Sequence, residues 1–486
     1  MQNIKTRFIV NTVFFFLVYS LVFYIIVRAF NIVITHDEAY SFYNVKHFWY
    51  VETLCTGNTH WFNFLAFKTA VLFNLEKVSQ LRWFSIFCSG VFLTGAYFWI
   101  KSIKDIPTKV FAFSFALLNP YLIDYLSLAR GYSAGIMFEV LMLICYCLAV
   151  KNNKRSLMFL SLFFAGMSAI ANFNFFYVFT AFSLVYFYEN YFKHRFLFFK
   201  NKQFYFDLFF LITITALVLK ALRFITLCSN DIGAYGGNDL ATSIFSGFIE
   251  TLIYRNFNIE LDTLNILAYI LFSLLVVIAI YGILKGKKHT NVWFGLSCKL
   301  FLIILFLLIF NKLLLGILYP TYRTALFFYP LIALVVIGFA NFLISKSKIG
   351  VYVLYIFSII IVINFMMSIS LSKIFDYSEQ RDSKITFTYL ESVGAKKVGI
   401  DPFLYGVFRN YYQQTDNFKF SFKGDCLNMF KESRPNYGNN KLSDFDYLVL
   451  YPPYNLSYYK NSNVKFKGNK YYLNTGTLVI KVLSQN

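Results

Sequence analysis

Apolar runs long enough to cross a bilayer, or nearly so, recur about eleven times along this chain. They lie at roughly 8–34, 80–100, 108–122, 131–150, 156–171, 173–189, 204–224, 263–284, 293–315, 325–344 and 349–370. A run of about 20 apolar residues spans the hydrocarbon core as an α-helix, so the expected fold is an all-α polytopic membrane protein. The runs at 108–122, 156–171 and 173–189 are short, and their boundaries are the least well defined. Composition agrees: of 486 residues, 58% are hydrophobic and 14% charged, far from the averages of soluble domains.

A formal net charge of +21 would suggest nucleic acid in a soluble protein. Here the basic residues sort by loop instead. One membrane face receives Lys5 and Arg7, then Lys101, Lys104 and Lys109, then Lys151, Lys154 and Arg155. The same face receives Lys193, Arg195, Lys200 and Lys202, then Lys285, Lys287 and Lys288, then Lys346 and Lys348. By the positive-inside rule that face is the cytoplasm, and the alternation holds only for an odd number of spans. No basic, aromatic-interleaved soluble face is left over, so nucleic acid is not an expected partner. The stretch Phe8 to Ile34 is too long for a signal-peptide core and has no small-residue cleavage site, so it reads as a retained first helix.

The opposite face carries the longer, less basic loops: Thr35 to Ser79, a very short turn around Asn119 to Arg130, Ile225 to Asp262, and Gly316 to Thr324. Within the first of these, Glu38 to Tyr50 and Trp61 to Leu75 are too polar or too short to span and are rich in aromatics. Both fit interfacial helices lying along the membrane surface. After the last span, residues 371–486 continue on the outer face with ordinary polar content, giving two domains, 1–370 and 371–486. Lys397 to Ile400 and Asp446 to Tyr451 read as strands, Phe403 to Gln414 as a helix and Tyr471 to Val482 as a final strand or hairpin, hence a small C-terminal α/β soluble domain. The cysteines form no framework; Cys88, Cys145, Cys147 and Cys298 lie in apolar runs, and Cys55, Cys228 and Cys426 fall on the outer side.

Chemistry concentrates between Thr35 and His60. The adjacent carboxylates Asp37 and Glu38 follow the first span directly, and His36, His47 and His60 are three of the protein's five histidines. An acidic pair also commonly marks where a helix meets water. Adjacent like charges raise each other's proton affinity, however, which suits a general base. Three histidines and two acids invite a zinc reading, but no tight ligand spacing supports it. Glu139 lies in the middle of a span, toward the cytoplasmic half, where pairing with a neighbouring helix is its expected role. Lys220 and Arg223 end the seventh span on the outer side, and Tyr235 to Asp239 reads as an ordinary loop.

These residues resemble a known group. His36-Asp37-Glu38-Ala39-Tyr40, then Asn58-Thr59-His60-Trp61-Phe62-Asn63, are similar to the first periplasmic loop of the glycosyltransferase-C (GT-C) superfamily. The likeness is to its bacterial family-39-like members, the protein mannosyltransferase and aminoarabinose-transferase-like enzymes. Asn119-Pro120-Tyr121-Leu122 followed by Ala129-Arg130-Gly131-Tyr132-Ser133 is similar to the family's Pro...Glu-Ala-Arg-x-Tyr signature. Tyr319-Pro320-Thr321-Tyr322-Arg323-Thr324 resembles the Arg-containing entry of a late span. Leu128 departs from the signature's Glu, with Asp124 one helical turn earlier as the acid that could replace it. Trp61 stands where a Pro often follows the loop His.

The resemblance implies transfer of a sugar from a polyprenyl-phosphate donor to a glycan, lipid or protein acceptor, with inversion, at the outer face of a bacterial inner membrane. Asp37 is the implied general base with Glu38 as its partner. Arg130 and Arg323 are the implied phosphate-gripping cations, because a guanidinium forks onto phosphate oxygens. Asn58, His60, Asp124, Tyr132 and Tyr322 are implied substrate-binding residues. The resemblance leaves room for a divalent metal and requires none. Membrane lipids surround the spans. The alternative reading is a transporter or flippase of lipid-linked saccharides, which predicts internal symmetry and charged, broken helices near the midplane. No repeat is visible in the sequence.

Overall fold

The computed structural model describes residues 4–47, 60–191, 202–227, 236–289, 292–345, 347–377, 380–400, 402–415, 421–425, 445–450, 465–471 and 477–483. Among them, eight helices are long and apolar enough to cross a membrane: Thr6–Asn31, Trp83–Ser102, Tyr132–Asn152, Lys202–Lys220, Leu261–Leu284, Val292–Leu315, Tyr322–Ile344 and Lys348–Ser368. The chain is a multi-pass membrane protein. The Leu261–Leu284 and Lys348–Ser368 helices leave large apolar side chains exposed, among them Leu274, Val277, Tyr352 and Ile359. Such surfaces are at rest only against lipid.

The three short apolar runs behave differently. Residues 108–122 are a bent pair, Ile106–Leu117 and Pro120–Ser127, meeting at 54°. The bend is written in Asn119-Pro120. Proline lacks an N–H and pushes the residue before it out of the helical region, and Asn119 accordingly sits at ψ 116°. The Asn119 side chain then caps the new helix, accepting from the N–H groups of Tyr121 at 2.9 Å and Leu122 at 3.1 Å. What reads in sequence as a very short turn from Asn119 to Arg130 thus contains a fully buried helix of eight residues. The other two runs form Arg155–Ala171, of 17 residues, and Phe176–Asn190, of 15. Between them Asn172 caps a single 3-10 turn, Phe173–Phe175, through its side chain.

The residues group into two compact units. The first comprises Met1–Ala29, Tyr50–Ala66 and Arg82–Ile369 and holds the helices just described. Its interior contains buried charge. Arg28, on the first span, ion-pairs with Asp124 and donates to Ser127 Oγ at 3.3 Å, while Arg82 Nη1 donates to the Ala29 carbonyl at 2.9 Å. Glu139 is fully buried on its span, and neither carboxyl oxygen has a hydrogen-bond partner among the described residues. The expected pairing with a neighbouring helix is therefore not seen there.

The second unit comprises Phe30–Trp49, Phe67–Leu81 and Ser370–Asn486, so two stretches of the first outer loop group with the tail. Five strands form one sheet in the order β2-β1-β3-β5-β4. They are β1 (Lys397–Ile400), β2 (Ser421–Asp425), β3 (Tyr447–Leu450), β4 (Lys465–Tyr471) and β5 (Leu478–Leu483). β1 lies parallel to β2 and β3, and β5 antiparallel to β3 and β4. The tail's helical segment Pro402–Val407 and its continuation Phe408–Tyr412 take the helix His36–His47 against them. Fully buried Phe42 meets Tyr411 edge-on at 5.3 Å, a burial worth about 1.5–3 kcal/mol for such a ring. Lys46 Nζ reaches Glu76 Oε2 at 2.8 Å and the Gln414 carbonyl at 3.2 Å.

Candidate active site

The Asp-Glu pair opens a helix. Thr35 is its N-cap and Glu38 its third residue, and the two exchange hydrogen bonds. The Glu38 N–H donates to Thr35 Oγ1 at 3.3 Å, while Glu38 Oε2 accepts from the Thr35 N–H at 3.0 Å and from Thr35 Oγ1 at 3.1 Å. This is a capping box, in which two otherwise orphaned N–H groups satisfy each other's partners. The Thr-x-x-Glu spacing at 35–38 carries that signature. Removing the box is expected to cost stability. Thr35→Ala should lower unfolding stability by about 1 kcal/mol, measured by denaturant titration.

Asp37, the second residue of the helix, is fully buried within the second unit. A carboxylate there is favoured by the helix dipole. Oδ2 accepts from the Tyr377 hydroxyl at 2.5 Å, and Oδ1 lies 3.1 Å from His36 Nε2. The tautomer of His36 follows from Gln380. The His36 backbone N–H can only donate, and it meets Gln380 Oε1 at 2.8 Å. The other end of that amide, Nε2, therefore faces His36 Nδ1 at 2.9 Å and donates to it. Nδ1 is thus an acceptor, and in the neutral ring the proton sits on Nε2, aimed at Asp37. Asp37 accepts from a phenol and an imidazole, which leaves its carboxylate in the acceptor role that a general base must play.

Tyr377 and Gln380 are missed by sequence reasoning. They lie some 340 positions from Asp37 in a tail that has no motif, and neither residue type is distinctive alone. His47, also in this unit, is exposed and contacts Gln414 Oε1 at 3.2 Å.

In the first unit, two of the resemblance motifs meet at Gly131. A Cβ at that position would collide with the Ala171 carbonyl oxygen and lie 2.7 Å from His60 Cγ. His60 is buried and packs edge-on against Tyr132 at 5.8 Å, and Tyr132 packs against Tyr125 at 4.8 Å. Arg130 is buried beside them in sequence. Asn63, Ser133 and Asn172 are also buried around this junction. Gly131→Ala is expected to destabilise by about 1–3 kcal/mol, the cost of overpacking a rigid contact against backbone, read as a lower thermal midpoint in detergent or bilayer.

Both carboxylate oxygens of Asp124 accept hydrogen bonds. Besides the Arg28 ion pair, its Oδ2 accepts from the Tyr254 hydroxyl at 2.8 Å, and Arg28 Nη1 donates to Tyr24 at 3.3 Å. Burial first, and then the negative charge of Asp124, hold the Tyr254 phenol protonated well above its usual range. Arg28 and Tyr254 are partners that the sequence does not announce.

Tyr322 has a left-handed backbone, φ 45°, and its hydroxyl donates to Glu250 Oε2 at 2.6 Å. Glu250 also takes Arg255 Nε at 2.9 Å. A bulky residue at positive φ is strained, and such strain is retained where surrounding contacts over-determine it. Arg323, half-buried, follows within the same 3-10 segment, Tyr322–Phe328. Gly237 pairs with Tyr319 through two backbone hydrogen bonds, 3.0 and 2.9 Å, so this part of the Tyr235 to Asp239 loop is tied down.

Asn58, the remaining expected site residue, lies outside the described residues, as do Cys55, Cys228 and Cys426. Among the described residues no group of three His, Cys, Asp or Glu side chains is placed to hold a metal ion. No protein-family model matches the sequence, and no curated protein is significantly similar to it.

Proposed function

We propose that this chain is an integral-membrane glycosyltransferase of the GT-C type. In this reading it has about eleven transmembrane helices, interfacial helices in the first outer loop, and a small α/β domain at 371–486. It lies in a bacterial inner membrane with its reactive face periplasmic. It moves a sugar from a polyprenyl-phosphate donor to a glycan, lipid or protein acceptor with inversion. Asp37 takes the proton from the acceptor hydroxyl as that oxygen attacks the anomeric carbon. The bond from that carbon to the phosphate oxygen breaks, and polyprenyl phosphate departs with the bonding pair. Arg130 and Arg323 balance the charge that gathers on the leaving phosphate. Glu38 acts on Asp37 indirectly, by fixing the helix end that carries it. Asn58, His60, Asp124, Tyr132 and Tyr322 contact substrate.

The observation supporting this reading most directly is the Asp37 carboxylate, set on a capped helix end with donors on both oxygens. The test is to reconstitute the purified chain in bilayers with polyprenyl-phosphate sugars and candidate acceptors. Transfer of sugar is the expected result. Translocation of the donor without transfer would replace this reading with a lipid-linked saccharide transporter.

A further inference from the structure

A second feature of the first unit involves none of the residues assigned to sugar transfer. A cavity of about 870 Å³ lies between the helices Phe176–Asn190, Lys202–Leu227, Leu261–His289 and Val292–Leu315. That volume reaches the upper end of the range for sites that bury drug-sized ligands. Its lining is nearly all apolar. The Thr180 and Ser183 hydroxyls turn back to their own helix, donating to the Phe176 and Phe179 carbonyls at 2.9 and 2.8 Å. On one side, Leu184 and Tyr188 are 52% and 57% exposed, so the cavity is open to whatever surrounds the helices. Lining residues run from Phe176 to Tyr188 on one helix, about 18 Å at 1.5 Å per residue, more than half of a hydrocarbon core about 30 Å thick.

One charged side chain is among the described lining residues, Lys299. It pairs with Glu189 and remains 33% exposed. An ammonium has three donors, enough to hold Glu189 and a second oxygen ligand together. Lys299 lies about two turns into the Val292–Leu315 helix, in its first half, and Glu189 is the penultimate residue of Phe176–Asn190. Both helix ends adjoin strongly basic sequence. Lys285, Lys287 and Lys288 precede one, and Tyr191 to Lys202 contains Lys193, Arg195, Lys200 and Lys202 with no acid.

We infer that this cavity is a resident site for an anionic diacyl phospholipid, its phosphate at Lys299 and an acyl chain along the groove. Charge complementarity selects the headgroup: basic ground between membrane helices binds anionic lipid. Position argues against polyprenyl phosphate as the occupant. Arg130 precedes the Tyr132–Asn152 helix, whose far end holds Lys151, and Arg323 follows the far end of the helix that carries Lys299. A phosphate at Lys299 therefore lies at the membrane surface opposite those arginines. The site is independent of whether the chain transfers sugar.

The test is native mass spectrometry of the purified full chain after delipidation, titrated with phosphatidylglycerol or phosphatidylcholine in detergent. Phosphatidylglycerol is expected to bind preferentially. Lys299→Gln should weaken it about fivefold, the worth of one lysine near an anionic lipid, while Lys299→Arg retains it. Glu189→Gln removes a competing negative charge and should tighten it. Ser183→Trp fills the groove and should abolish tight retention, with the charge variants providing the measurement if this one fails to fold. Equal binding of the two lipids, or an unchanged affinity in Lys299→Gln, overturns the site. Phosphatidylcholine binding that exceeds phosphatidylglycerol binding and weakens in Glu189→Gln assigns a zwitterionic headgroup instead, and co-purification of a polyprenyl phosphate assigns the other lipid. Either result overturns the proposal.

Discussion

Asp37→Asn is expected to lower sugar transfer by about 10²–10⁴-fold, the usual contribution of a positioned general base, with substrate KM little changed. The substitution is nearly isosteric. Its amide oxygen still accepts from either Tyr377 or His36, so the helix end and its surroundings are retained while the proton acceptor is lost. Tyr377→Phe gives the contrast. It removes one donor from the same carboxylate, a hydrogen bond to a charged group worth about 1.5–3 kcal/mol, and should slow transfer less than Asp37→Asn does. Glu38→Gln keeps an acceptor for the Thr35 N–H and should be milder still. The measurement is initial rate against acceptor concentration in bilayers, with thermal unfolding of each variant alongside. An Asp37→Asn variant that is folded and transfers at the wild-type rate would end the proposed assignment of the base.

Those three variants also separate what the sequence makes legible from what it hides. The eight long apolar helices can be read directly, because the bilayer demands a length of apolar chain and little else meets that demand. Where length falls short the reading weakens. The bend at Asn119-Pro120 divides a run that looks continuous in hydropathy, though the proline and its capping neighbour were there to be seen. Thr35-x-x-Glu38 is legible in the same way, and it recasts Glu38 from a second acid beside Asp37 into a cap. Tyr377, Gln380, Arg28 and Tyr254 are of another kind. Each acquires its meaning from a partner about 100 to 340 positions away in sequence, and no local pattern encodes such a meeting.

Arg28→Met is expected to cost about 3–5 kcal/mol of stability, because it leaves Asp124 charged, buried and without its cation. The side chains of Arg28 and Asp124 are 2% and 1% exposed, so water cannot take the place of the missing partner. The remedy is to remove the second charge rather than restore the first. Arg28→Met with Asp124→Asn takes away both charges yet leaves an amide oxygen for the Tyr254 hydroxyl, and most of the lost stability should return. Unfolding midpoints of the two single variants and the double variant, in one detergent, give the coupling between the sites. The same set decides what Asp124 is for. If its role is to neutralise Arg28, the double variant regains transfer together with stability. If Asp124 positions substrate, Asp124→Asn raises KM in a folded protein and the double variant recovers stability alone. Additive losses with no recovery in the double variant would remove the ion pair as the organising contact of this part of the first span.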